Sequence, residues 1–400
     1  MFTIVTLILK VIISYQLTVT MINWKIPLYK VYVDSDDING VKNVVQRGTF
    51  WAIGPEVDEF EKSLSDYIGS KYCVSFNSGT SALHASLLSL GISKNDQVLV
   101  PSFTFISTVN ATLMVNATPK FVDIEDSSFG LDPEMVKSAI TKKSKAIMPV
   151  HYAGLPCNIL DLKEISKSNK LFLIEDSAES IGALVNGKKV GSFGDIGVFS
   201  FAGNKVLTTG EGGAVVTDSK AIYNKLKLIR SHGREEQQNY FATNKKPNYI
   251  SLGYNWRMSS ITAAIGISQL NKIEKLISLR RKNAKYLSDK LRKINKIKTP
   301  SESINVKHAY QMYTIRLPNS TLRNKLKVFL ETKKIMSKVF FYPVHKTNFY
   351  KTNHTKIPKL PITDLISNQV LSLPMYPGLT RHELNYIYDS ICEFFENNGS

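Results

Sequence analysis

Cysteine is scarce in this chain: Cys73, Cys157 and Cys392 are the three among 400 residues. They are odd in number, far apart and without C-x-x-C spacing. That excludes a disulfide framework and a cysteine zinc site, so no metal is expected and a reducing cytoplasmic setting fits. Long apolar runs are lacking too. Residues 2–13 come nearest, but Lys10 interrupts them, no basic stretch precedes them and no small-residue cleavage site follows. The run is too short for a membrane span, so no stable membrane insertion is expected. Residues 1–20 read as an extension of uncertain status, with Met21 opening the main body. Glycine and proline are not enriched, and no solenoid period appears.

Acidic residues are the minority. Lys and Arg number 51 against 33 Asp and Glu, a net charge of +18. The excess is spread along helical-looking stretches such as 280–298 and 323–338, as solvated helix faces would be. Zinc-finger spacing, a basic heptad and an aromatic-interleaved arginine patch are all missing, so nucleic acid is not expected as a partner. What such a surface can still do is attract a small anionic substrate.

What is present is alternation. Val57, Phe60, Leu64, Tyr67 and Ile68 follow helical spacing, and Gly69 ends that helix. Tyr72–Phe76 is a short apolar run before Ser78-Gly79-Thr80-Ser81, and 82–90 reads as a helix. Buried strands are expected at 97–101, 120–124, 145–150, 171–174, 196–201 and 214–217, with helices such as 105–115 and 133–140 between them. This implies an α/β fold with a mainly parallel sheet covered on both faces. Sheets of that kind bind ligands at the carboxyl ends of their strands. After about residue 269 a basic helical segment runs to about 297. Strand-like 308–317, a helix, strand-like 339–342 and a helix over 382–395 follow. The expected division is a large α/β domain over 21–270 and a smaller α+β domain over 271–400.

Four strand ends carry polar residues that make sense around one cofactor. Leu171 to Ile174 end in Glu175-Asp176, and a buried Asp176 needs a cationic partner such as a protonated pyridine nitrogen. Taken alone it reads rather as a strand-end cap. Ser200-Phe201-Ala202-Gly203-Asn204-Lys205 precedes a loop of small residues, and a desolvated lysine can work as a neutral amine. Alone, it reads as a solvated turn. Gly79 and Thr80 open a helix whose free N–H groups suit a phosphate, or are a plain cap. Phe105 follows another strand end, where its ring could stack on a flat heteroaromatic or join the core.

With these residues the chain resembles the sugar-nucleotide aminotransferases of the DegT/StrS type, within the fold-type I pyridoxal-phosphate enzymes. The likeness runs from about Ile26 to the last helix. It includes Gly79-Thr80-Ser81-Ala82-Leu83, Pro101-Ser102-Phe103-Thr104-Phe105, Pro149-Val150-His151-Tyr152-Ala153-Gly154, Glu175-Asp176-Ser177-Ala178-Glu179 and Gly253-Tyr254-Asn255-Trp256-Arg257. The resemblance implies pyridoxal 5'-phosphate as cofactor, held covalently by Lys205. It implies that Asp176 pairs with the pyridine nitrogen, that Glu179 sits near the ring 3-hydroxyl and that Phe105 stacks on the ring. Gly79, Thr80 and Ser200 would hold the phosphate, with Asn255 reaching in from the second subunit of a homodimer. His232, Arg257 and His345 would contact a nucleotide sugar or L-glutamate.

Lysine at 205 matters, because one branch of the family has histidine there and dehydrates. Lys205 therefore implies amination, at C4 of a nucleotide-linked 4-keto-6-deoxy sugar as in perosamine synthases, in glycan or surface-polysaccharide synthesis. Glu179 and Ala202 depart from many members, which leaves the sugar open, including amination at C3. Two other readings stand beside this one: a lyase or desulfurase of the same fold, and a non-enzymatic regulator on the same scaffold.

Overall fold

A computed structural model of the chain describes residues 23–235, 243–244, 246–353 and 358–397. The expected extension over 1–20 lies outside them.

Short apolar runs become strands in chain order: β1 (Tyr72–Phe76), β2 (Gln97–Pro101), β3 (Thr118–Val122), β4 (Ser144–Ile147), β5 (Phe172–Asp176), β6 (Leu184–Val185), β7 (Lys188–Lys189), β8 (Ile196–Ser200) and β9 (Gly213–Thr217). All but the β6–β7 hairpin join one seven-stranded sheet, ordered β1-β9-β8-β5-β4-β2-β3. From β8 through β3 every pairing is parallel, while β9 runs antiparallel to both β8 and β1.

Side chains alternate across this sheet, and both faces are covered. Val98, Val100, Ile174 and Val198 pack with Ala82, Leu83, Ala85 and Leu87 of helix Gly79–Ser89. Leu99, Ile147 and Leu173 point the other way, onto Leu162 and Ile165 of helix Ile159–Ser168. Toward the β9 edge, Phe199, Ala214 and Val216 meet Phe60 and Leu64 of helix Pro55–Ile68, which ends at Gly69 as expected.

Sequence patterning missed the helix Ser35–Arg47. A capping box starts it: Asp34 accepts from the Asp36 N–H, and the Asp37 carboxylate takes the Asp34 N–H at 3.0 Å.

Helix Ser260–Asn271, which the patterning did not give, precedes helix Ile273–Leu291, which forms most of the expected basic segment. The second runs from one core into another. Ile273 and Ile277 lie in the core beside β9, whereas Ala284, Leu287 and Leu291 join a core built around β11 (Tyr313–Arg316) and β12 (Val370–Leu373). These two strands pair antiparallel, and the short β10 (Val306–Lys307) pairs with β6. Of the strand-like stretch 308–317, only β11 is strand. Residues 339–342 form none. Lys338 and Ser372 exchange two backbone hydrogen bonds of 3.1 and 2.8 Å, and the chain then leaves β12. Among the described residues no helix is long and apolar enough to cross a membrane.

Candidate active site

The carboxyl ends of β5 and β8 lie side by side, because those strands pair in parallel with Asp176 opposite Val198. Asp176 is the last residue of β5 and is buried. Its Oδ2 accepts the Thr108 hydroxyl at 2.7 Å, and its Oδ1 accepts the Ala178 N–H at 3.2 Å. Burial pushes this carboxyl up, while Thr108, Ala178 and the charge of Lys205 pull it back part of the way.

Lys205 follows β8 in a turn closed by its own N–H to the Ala202 carbonyl, 2.9 Å. Its Nζ stands 3.5 Å from Glu179 Oε1, and both side chains are nearly covered. The other oxygen of Glu179 accepts the Ala153 N–H at 2.9 Å, which fixes the carboxylate. Lys205, Asp176 and Glu179 therefore form one cluster of an amine and two carboxylates.

Beside them the helix Gly79–Ser89 begins. Ser78 caps it by accepting the Ser81 N–H at 3.1 Å, leaving the first N–H groups for another acceptor. A Cβ on Gly79 would come within 2.8 Å of Ser200 Cβ, and one on Gly213 within 2.4 Å of the Ser78 carbonyl. Only glycine lets β8 and β9 approach the helix start this closely. The Thr80 hydroxyl is bonded to Ser107 at 2.8 Å. Phe105 occupies the cap position of helix Ile106–Met114 and is 59% exposed, its ring 6.1 Å from that of Phe341.

This donor set fits pyridoxal 5'-phosphate. Asp176 is a buried carboxylate held by a hydroxyl and one N–H, which suits a cationic ring nitrogen. The helix start suits a phosphate, and the exposed Phe105 face suits a flat ring.

The remaining sequence candidates fall in two other places. His232, Asn255 and Arg257 share one patch. Ser231 bridges Asn255, the His232 N–H reaches the Tyr254 carbonyl at 2.9 Å, and Arg257 donates to Ser231 Oγ at 3.3 Å. That patch flanks the helix start, since Trp256 accepts the Asn77 N–H at 2.8 Å. His345 is buried at the end of β2, with Nδ1 on Ser102 Oγ at 2.7 Å and Nε2 3.6 Å from Asp364. Burial pushes its imidazole down. None of these four touches the Lys205 cluster among the described contacts.

Thr108 was not anticipated. Its signal was its place one turn beyond Thr104, to which its hydroxyl is bonded at 2.8 Å. Nor was the pairing beneath Asp176. Glu175 points to the opposite face, where it accepts N–H groups from Gly191, Phe193 and Gly194 at 2.7, 2.6 and 2.7 Å and His151 Nε2 at 3.1 Å. Burial works against an imidazolium at His151 and Glu175 works for one. The Cys157 N–H donates to His151 Nδ1 at 3.1 Å and decides for the neutral ring, with its proton on Nε2.

Comparison with known proteins agrees with this geometry. The family model described as DegT/DnrJ/EryC1/StrS aminotransferase family matches residues 31–392. The GDP-perosamine synthase of Vibrio cholerae is 35% identical over 372 residues, covering 92% of this chain and 99% of that protein. The GDP-perosamine synthase of Escherichia coli O157:H7 is 36% identical, covering 93% and 99%. Among solved structures, S. venezuelae DesV in complex with a ketimine intermediate superposes with a TM-score of 0.86 at 28% identity, covering 93% of this chain and 98% of that one. The chain belongs to the DegT/DnrJ/EryC1/StrS aminotransferase family, whose cofactor is pyridoxal phosphate.

Proposed function

We propose that the protein transfers the amino group of L-glutamate to C4 of a GDP-linked 4-keto-6-deoxy sugar, as a cytoplasmic homodimer. The observation that carries the reading is the approach of Lys205 Nζ to Glu179 at 3.5 Å beside the buried Asp176. The choice of sugar and nucleotide draws on the two GDP-perosamine synthases at 35–36% identity.

When bound, pyridoxal phosphate supplies an electron sink that takes up and gives back the amino group. Asp176 holds the positive charge of the ring nitrogen. Gly79, Thr80 and Ser200 bind the phosphate, and Phe105 covers one face of the ring and keeps water off it. Glu179 orients the ring hydroxyl and the Lys205 amine. Lys205 Nζ would shuttle one proton in each half-reaction, from the donor carbon to the cofactor in the first and from the cofactor to the sugar carbon in the second. His232 and Arg257 meet the substrate anions at the subunit boundary, and Asn255 reaches the cofactor phosphate of the partner's site. The imidazole of His345 is buried and engaged by Ser102, which places it behind the substrate contacts.

The test is a panel of GDP-, UDP- and dTDP-linked 4-keto and 3-keto sugars with glutamate, scored by product mass. A 4-amino GDP-sugar with release of 2-oxoglutarate is expected. Turnover of 3-keto sugars alone would move the reaction to C3.

A further inference from the structure

Lys205 is held by more than its own strand. The carbonyl of Asn204, the residue before it, accepts Gln311 Nε2 at 2.7 Å across 107 residues of sequence. Gln311 is 4% exposed. A buried amide that leaves its Oε1 without a partner among the described residues costs free energy, and the hydrogen bond from its N–H to the turn carbonyl offsets part of that cost.

The loop that carries Gln311 is itself fixed from below. Arg280, on helix Ile273–Leu291, donates to the carbonyls of Tyr310 at 3.2 Å, Gln311 at 3.4 Å and Met375 at 2.9 Å. It is 2% exposed, and burial pulls its guanidinium down to about 10. Its hydrogen-bond partners among the described residues are backbone carbonyls, with no carboxylate to offset the charge. A buried cation without a carboxylate is costly to desolvate, and its hydrogen bonds to these carbonyls offset that cost. What it does contribute is rigidity: it ties the loop before β11 to the segment after β12. His308 adds to this, with Nδ1 accepting the Tyr310 N–H at 2.8 Å and its ring stacked on Tyr310 at 4.0 Å.

We propose that Gln311 is a positioning residue for Lys205, seated by Arg280. By gripping the Asn204 carbonyl it fixes the turn from Ala202 to Lys205, so that the amine projects toward Glu179 and Asp176 before any cofactor arrives. A preformed turn lowers the ordering cost of binding. The inference rests on the reading of Lys205 as the cofactor lysine.

The experiment compares wild type, Gln311→Leu and Gln311→Glu in three ways: thermal unfolding of the apoprotein, the dissociation constant for pyridoxal phosphate, and borohydride-fixed cofactor on the Lys205 peptide. Gln311→Leu is expected to weaken cofactor binding about tenfold, the effect of losing one supporting hydrogen bond, with little change in apoprotein melting. Gln311→Glu can donate to the Asn204 carbonyl only when protonated. Its deficit relative to Gln311→Leu is therefore expected to shrink as pH falls through the range of that carboxyl. Cofactor affinity unchanged in Gln311→Leu, or a ratio of the two variants flat with pH, would overturn the inference. Absence of fixed cofactor at Lys205 in the wild type would instead overturn the assignment of Lys205.

Discussion

Thr108 gives its hydroxyl hydrogen to Asp176 Oδ2 at 2.7 Å, from the helix that follows β2 to the end of β5. That bond opposes the burial that pushes the Asp176 carboxyl up. Removing it in Thr108→Val lets the carboxyl rise further. On the proposed pairing of Asp176 with the ring nitrogen, which needs the ionised carboxyl, the acid limb of the kcat/KM profile is expected to move to higher pH, with a loss of about fivefold to tenfold at neutral pH. An acid limb that stays in place would show that Asp176 does not govern it.

Asp176 also sets a stability signature in the apoprotein. Its folded value lies above the unfolded value of 3.8, so between the two the folded state binds more protons. Stability from this group is present at low pH and is lost as pH rises through the folded value. Asp176→Asn removes the buried charge. The variant apoprotein is expected to melt above wild type at pH 7.5, with the gap closing toward pH 4, while cofactor binding is lost. Melting curves at both pH values decide it.

Glu175 has a structural task. Three backbone N–H groups and His151 converge on its carboxylate, and Glu175→Ala leaves those buried donors unsatisfied. The expected cost is about 3 kcal/mol or more, read from urea unfolding of the apoprotein. A cost under about 1 kcal/mol would mean that water or neighbouring groups replace the carboxylate.

Gly79 is a packing requirement at the helix start proposed to bind the phosphate. In Gly79→Ala the new methyl meets Ser200 Cβ at 2.8 Å, so the helix start must move away from β8. Affinity for pyridoxal phosphate is expected to fall more than about tenfold, and affinity for unphosphorylated pyridoxal much less. Equal losses for the two ligands would place the damage elsewhere.

Much of the central sheet could be read directly because its strands are buried on both faces. Tyr72–Phe76 and Gln97–Pro101 appear with the expected bounds, since apolar runs of that length between turn residues have few other uses. Strand direction could not be read. Gly213–Thr217 looks like its neighbours, and its antiparallel course follows from the loop that brings it back beside β8. The C-terminal half was less legible: β12 is four residues long, and 339–342 carries a strand-like pattern without pairing. In the site, Asp176 and Lys205 stood out because a charge at the end of an apolar strand is conspicuous. Thr108 and Gln311 did not, because partners 68 and 107 residues away in sequence define them.

The central claim concerns one amine among the many lysines of a chain with net charge +18. Purified protein loaded with pyridoxal phosphate, reduced with borohydride, digested and weighed by mass spectrometry tests it directly. The account predicts the mass of the reduced cofactor on the peptide containing Lys205, and no labelling in Lys205→Ala. Label on another lysine, or undiminished label in that variant, would contradict it.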